Sequence, residues 1–295
     1  MIKYYKIATI NVLVDADEPF QNIFQGYEYY TCNMQNASEF TQNVDFRLTV
    51  QLVDNFTFEG ELLKSKLSAK IYKQGEFDTV YHFDNDKCYL SFKHTANYSD
   101  CTLSILDNVV VADLDTTNLA YIYMGMLFSY RISYFGGLMM HGSAISYKGK
   151  GIIFTAPSGV GKSTQANLWK QKFGSDVEFI NDDKPVLMEN NGKIYVYGTP
   201  FAGKNHINNN NNVCLSAIIN VSRDNVNSIE KLNVKESIAL MMEALSRSTF
   251  SNDVNINSIK IINKILSITP VYRLKCTPTA EAVDVAKQGI NLNFD

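Results

Sequence analysis

The residues with the clearest chemical potential are Ala156–Pro157–Ser158–Gly159–Val160–Gly161–Lys162–Ser163, which have the spacing of a phosphate-binding loop. Gly159 and Gly161 let the backbone curl so that successive N–H groups converge on phosphate oxygens. A helix starting near Ser163 adds partial positive charge at the same place. Lys162 reaches the β- and γ-phosphates as a point charge, and the Ser163 hydroxyl joins the coordination of Mg²⁺. The expected nucleotide-binding residues are therefore Ser158, Gly159, Val160, Gly161, Lys162, Ser163 and Thr164. The run departs from G-x-x-x-x-G-K-[ST] at Ala156 alone, where the replacement is small. A glycine-rich turn that merely links strand to helix is the bland alternative. The context favours phosphate: an apolar strand, Gly151–Phe154, precedes the loop and a helical pattern, Ser163–Phe173, follows it.

Two companions could turn binding into reaction. Asn181–Asp182–Asp183 directly follows a short apolar strand, Val177–Ile180. If that strand is a parallel neighbour of the one feeding the loop, both end at the sheet edge where ligands bind. Both carboxylates can face inward only where the strand has ended, and Pro185 suggests that it has. One carboxylate would hold Mg²⁺ while the other accepts the proton of an attacking hydroxyl. An acidic surface turn is the alternative. His141 precedes a strand that should pair with the loop-feeding strand, and by itself it reads as a structural histidine sooner than as a catalyst. His82 and His94 read as structural, and His206 lies in a polar loop that could touch ligand. Arg223 reads as a solvated loop residue, or as a cation that neutralises charge on a transferred phosphoryl group.

The elements that must position these residues fall into two kinds. The first ~115 residues are rich in Tyr, Phe, Thr and Val, with strand-like runs at Phe46–Leu52, Leu67–Lys73, Thr79–Phe83, Tyr89–His94 and Thr102–Ile105. This predicts a β-rich domain over residues 1–115. Leu119, Ile122, Tyr123, Met126, Leu127 and Tyr130 then recur at helical steps, giving a linking helix over 116–137. From Leu138 to Asp295 the pattern is α/β. Strands are expected at Ser143–Tyr147, Lys193–Tyr197, Cys214–Val221 and Val271–Cys276, and helices at Ser237–Leu245, Ile259–Leu266 and Thr279–Lys287. Asn208–Asn212 reads as a mobile surface loop.

Composition excludes some classes. The 295 residues carry a formal charge of −3, which is no footprint for nucleic acid or an anionic membrane. The five cysteines show no C-x-x-C spacing, which argues against a disulfide framework or a zinc site and for a reducing, cytoplasmic setting. The apolar stretch Leu119–Met140 is broken by Arg131 and Gly136–Gly137, and fits a buried helix better than a membrane span.

Taken together, His141–Gly142, the loop Ala156–Ser163 and Asn181–Asp182–Asp183 occur in the order and rough spacing of the HPr kinase/phosphorylase family, which this chain resembles. The likeness is closest to the HPr-kinase-like kinases encoded with peptide natural products, among them lasso-peptide precursors. It continues through Tyr197–Gly198–Thr199–Pro200–Phe201–Ala202–Gly203–Lys204 and Pro270–Cys276, so it spans roughly Leu138–Ile290. The resemblance implies an α/β (overall α+β) catalytic domain akin to ATP-dependent phosphoenolpyruvate carboxykinase, preceded by the β-rich domain. It also implies ATP and Mg²⁺ as cofactors, Lys162 on phosphate, Ser163 and Asp183 at the metal, Asp182 as general base, and His141 assisting at the phosphoryl group. The family's metal-binding glutamate after the Asp pair and its C-terminal signature have no counterpart here, so neither phosphorylase activity nor HPr as substrate is expected.

The expected activity is transfer of the γ-phosphate of Mg·ATP to a hydroxyl, a serine of a peptide or protein such as a natural-product precursor. A sugar or free amino acid as acceptor, and a non-catalytic nucleotide sensor, are the alternatives; a decarboxylating carboxykinase fits poorly. The β-rich domain is the candidate selector of the acceptor. Neither nucleic acid nor membrane is an expected partner, and a homo-oligomer is left open.

Overall fold

The computed structural model describes residues 2–24, 30–31, 43–203, 206–245 and 251–292; Met1, Cys32 and Lys204 lie outside these. The chain divides into two compact units, Met1–Arg131 and Ile132–Asp295.

The first unit is built on one sheet of eight strands: β1 (Ile2–Ile7), β2 (Ile10–Ala16), β3 (Phe46–Val53), β4 (Glu61–Lys66), β5 (Ala69–Gln74), β6 (Phe77–Asp84), β7 (Lys87–Thr95) and β8 (Asp100–Leu106). Their order is β1-β2-β3-β8-β7-β6-β5-β4. The pairs β2–β3 and β3–β8 are parallel and the rest antiparallel. Alternation puts Phe46, Leu48 and Val50 of β3 on the buried face. After the short strands β9 (Val110–Val111) and β10 (Leu114–Asp115), helix α1 (Thr116–Ser133) covers that face. Phe128 lies against Phe46, and Tyr130 meets Tyr98 edge-on at 5.2 Å. Arg131 ties the helix down by donating to the carbonyls of Asp45 and Asn97. The helix expected as a connector is thus, up to Arg131, part of the first unit, because its apolar stripe is that unit's core.

The second unit is mixed α/β. Its strands are β11 (Gly137–Met139), β12 (Ser143–Tyr147), β13 (Lys150–Thr155), β14 (Val177–Asn181), β15 (Val186–Asn190), β16 (Lys193–Tyr197), β17 (Asn212–Arg223), β18 (Ser228–Lys231) and β19 (Val271–Cys276). The helices are α2 (Lys162–Phe173), α3 (Val234–Glu243), α4 (Asn252–Ile268) and α5 (Ala280–Ile290). β17 is the organising strand: it pairs in parallel with β13 on one side and β19 on the other, while its first residues pair with β16.

Two cores lie on opposite faces of this sheet. Ile152 and Phe154 join Trp169 of α2 and Ala282, Val283 and Ala286 of α5 on one face. Ile153 joins Met241 of α3 and Ile262 and Ile265 of α4 on the other. Along β17, Val213 and Leu215 face the second core but Ala217, Ile219 and Val221 face the first. The register shift opposite Gly151–Ile152 accounts for the change of face.

The five-asparagine run is not the free surface loop that its composition suggests. Asn209 N and Nδ2 donate to the carbonyls of Ile180 and Phe179, Asn211 O accepts from Gly198 N, and Asn212 opens β17. Asparagine amides can replace ladder hydrogen bonds, so here they stitch a loop to the end of β14.

Candidate active site

The topology brings the three sequence motifs to one sheet edge, by a route other than the expected one. β13 and β14 are not neighbours. β12 lies between them, antiparallel to both, so that β13 and β14 run the same way and finish together. Ser143 opposite Phe154 and Ala144 opposite Asn181 fix the level. The phosphate loop follows β13, the aspartates follow β14, and His141 enters just ahead of β12.

The loop Ala156–Gly161 needs its glycines. Gly159 and Gly161 sit at φ of 76° and 135°, where a Cβ would be strained. Lys162, 8% exposed, folds back so that Nζ donates to the carbonyls of Ala156 and Pro157 at 3.2 and 3.4 Å. Burial pulls its pKa below the ordinary lysine value, and the nearby carboxylates of Asp183 and Asp182 oppose that pull. Arg223, at the end of β17, donates to the carbonyls of Gly159 and Val160 at 2.6 and 3.4 Å. It is exposed, as a solvated loop residue would be, and it also braces the loop through these two bonds.

β14 ends at Asn181 for a reason its own side chain supplies. Asn181 is fully buried, and its Oδ1 accepts the backbone amides of Asp183 and Lys184 at 2.9 and 2.7 Å. Its Nδ2 donates to Thr199 O at 2.8 Å. This Asx-type turn breaks the strand before Pro185 is reached and aims the two aspartates separately.

The pair is chemically unequal. Asp183 Oδ1 lies 2.9 Å from His141 Nδ1 and its Oδ2 lies 3.3 Å from Lys184 Nζ. Burial raises the Asp183 pKa, but the His141 hydrogen bond and the Lys184 charge outweigh it and hold the carboxyl below the ordinary value. Asp182 is 8% exposed, and its Oδ1 is buried with no hydrogen-bond partner among the described residues. A buried, unsatisfied carboxylate oxygen beside a buried lysine marks a place where a hydrogen-bond donor or a cation belongs. Gly203, at φ 65°, lies over Asp183 so closely that a Cβ there would stand 3.1 Å from the Asp183 Cβ.

Among the described residues no three of His, Cys, Asp and Glu converge on a metal position. The residues present suit Mg²⁺ all the same, because that ion is held by one or two carboxylates together with substrate phosphates. Ser163 and Asp183 carry oxygens of the right type, and Asp182 Oδ1 adds negative charge beside them.

Two clefts adjoin the loop. One of about 710 Å³ is lined by Gly159, Gly161, Thr164, Gln165, Arg223 and Cys276 among others. The other, about 190 Å³, is lined by His141, Thr155, Ala156, Pro157, Asn220, Leu240, Glu243 and Ala244. Asn220 and Glu243, which line the second cleft, lie in no motif of the sequence, and Asn181 and Thr199 enter the motifs without a role of their own. For Asn181 a signal existed, an asparagine at a strand end, but it was eclipsed by the acidic pair beside it.

The remaining candidates lie elsewhere. His82 and His94 belong to the first unit's sheet, His94 stacked on Tyr98 at 4.1 Å, and burial lowers both pKa values, that of His82 to about 4. His206 is exposed, and its backbone carries its hydrogen bonds. Arg273, in β19, pairs with Glu230 and Glu236.

No helix among the described residues is long and apolar enough to cross a membrane. No curated protein matches the chain. Among solved structures, one of the HPr(Ser) kinase/phosphatase from Coxiella burnetii overlaps at a TM-score of 0.33 and 10% identity, covering 51% of this chain and 94% of that one. The profile of one protein family, described as SynChlorMet cassette protein ScmC, matches residues 106–281. That span takes in α1, the phosphate loop and the Asp pair, and on it the chain belongs to the ScmC family of SynChlorMet cassette proteins.

Proposed function

We propose that this chain is a Mg·ATP-dependent phosphotransferase acting on a hydroxyl, the serine of a peptide or protein such as a natural-product precursor. The observation that carries the reading is Asp182, buried, with an oxygen that has no hydrogen-bond partner among the described residues, and within electrostatic reach of Lys162. A cleft of about 710 Å³ against the loop is within the ~300–1,000 Å³ range of small-molecule sites and suits a nucleotide.

In this reading the acceptor hydroxyl gives its proton to Asp182 as its oxygen bonds to the γ-phosphorus. The bond from that phosphorus to the bridging oxygen breaks and ADP leaves. Asp183, held anionic by His141 and Lys184, is a poor proton acceptor and serves the metal side instead. Lys162 and the loop amides take up the charge that grows on the phosphoryl oxygens. Mg²⁺ would add neutralising charge between the β- and γ-phosphates. The unpaired thiols of Cys88, Cys101, Cys214 and Cys276 suit the reducing, cytoplasmic setting proposed for this chemistry.

The test is Asp182→Asn. It should keep nucleotide binding and lower phosphate transfer by about 10²–10⁴-fold, the usual worth of a general base. Full turnover by the variant would remove Asp182 from that role. ATP binding by wild type with no transfer to any acceptor would return the site to a nucleotide sensor.

A further inference from the structure

We infer that the 190 Å³ cleft beside His141 receives the acceptor as a single hydroxyl-bearing side chain, from a peptide whose adjacent residue is basic and faces Glu243. The inference rests on the phosphotransfer reading above.

Position comes first. The cleft is bounded by Ala156 and Pro157, the two residues whose carbonyls receive the Lys162 ammonium. It therefore opens at the lysine end of the loop, where the terminal phosphate of a bound nucleotide belongs. The larger cleft touches the loop at Gly159–Gly161 and shares no lining residue with it.

Size comes next. About 190 Å³ lies below the ~300–1,000 Å³ of pockets for drug-sized ligands and has room for one side chain.

The lining sets the polarity. Thr155 Oγ1 is committed to His141 O at 3.0 Å, and Asn220 Nδ2 donates to Thr155 O at 3.3 Å. That leaves the Asn220 carbonyl oxygen as an acceptor at the floor, with Leu240 and Ala244 as an apolar wall. Glu243 is exposed at the rim, on the last turn of α3, where the helix's own C-terminal partial charge is also negative. Among the described residues of the lining, His141 is the one side chain that can carry positive charge. The donation of His141 N to Ala244 O at 2.9 Å holds the end of α3 against the cleft. An acidic rim repels nucleotide phosphates and attracts a lysine or arginine of the incoming peptide, so the two clefts sort the two substrates.

The experiment uses the full-length protein and randomised fluorescent peptides centred on serine, flanked by Lys/Arg, Ala or Asp/Glu. Binding is read by anisotropy with Mg²⁺ and a non-hydrolysable ATP analogue, and transfer is read in parallel with ATP. Wild type should favour basic-flanked over acidic-flanked peptides by about ten-fold, Glu243→Gln should erase the preference, and Glu243→Lys should reverse it. Retained nucleotide binding shows that each variant is folded. Transfer with the same peptide ranking in wild type and Glu243→Lys overturns the cleft assignment and leaves the kinase reading standing. A ranking that follows residue 243 in binding, with no phosphate transferred, supports the cleft and overturns the kinase reading. Absence of any peptide binding, or phosphorylation of free serine or a sugar in its place, overturns the proposal.

Discussion

Adjacent aspartates with the same intrinsic chemistry end in opposite states because their partners differ. Asp183, 17% exposed at its side chain, meets an imidazole and an ammonium, whereas Asp182 Oδ1 meets no described partner. This sets a pH signature. Burial raises the Asp183 pKa, and the bonds from His141 and Lys184 lower it further than burial raises it, so the folded value is below the unfolded one. The stability it contributes is present above the ordinary carboxylate value and is lost as pH falls through the lower, folded one. Asp183→Asn should cost about 1.5–3 kcal/mol at neutral pH, the worth of a hydrogen bond to a charged group. Urea titrations of wild type and variant should converge at acid pH, below the ordinary carboxylate value. A gap that stays constant down the acid range would mean that the charge of Asp183 contributes nothing.

At the scale of elements, helix α3 matters because Glu243 stands on its last turn. Its start is fixed by a capping box, in which Asn233 Oδ1 accepts from Glu236 N at 3.0 Å while Glu236 Oε2 accepts from Asn233 N at 3.3 Å. Asn233→Ala should cost about 1 kcal/mol and lower the melting temperature by about 2–4 °C for a unit of this size. An unchanged melting curve would show the cap to be redundant. The same box explains a boundary that the sequence missed. The helix was expected from Ser237, where the apolar residues gather, yet it begins at Val234 because the cap, not the apolar stripe, nucleates it. The strand–loop–helix around Lys162 was legible within a residue or two, since its glycines and apolar run are local features. The asparagine run was not, because polar composition alone says nothing of which carbonyls the amides will find.

For the molecule as a whole, the division at Arg131–Ile132 sets where the chain can be cut. Cutting after Val110, the end of the β-rich sequence, would leave α1 with Leu119, Met124, Leu127 and Phe128 stripped of the sheet they cover. A fragment beginning at Ile132 carries the loop, both aspartates and both cores of the second unit. It should stay monodisperse and bind a fluorescent ATP analogue as the full chain does, whereas a fragment beginning at Val111 should aggregate through α1. Loss of peptide phosphorylation in the shorter fragment would assign acceptor selection to the first unit. Unchanged peptide turnover would place selection wholly in the second.

The phosphate loop, the strand that feeds it and the helix that leaves it are legible in the residues alone. Glycine at positive φ, lysine and serine act within a few residues of one another, so their meaning is local. The sequence also placed an acidic pair at a strand end and a histidine ahead of a strand. How these meet rests on the tertiary fold: β12 lies between β13 and β14, His141 reaches Asp183, and Asp182 Oδ1 has no hydrogen-bond partner among the described residues. The fold decided as well that Arg223 braces the loop and that Glu243, over 80 residues from the loop in sequence, shares a cleft with it. Strand order and the partners of a buried side chain depend on contacts between distant segments, and no local pattern of residues encodes them.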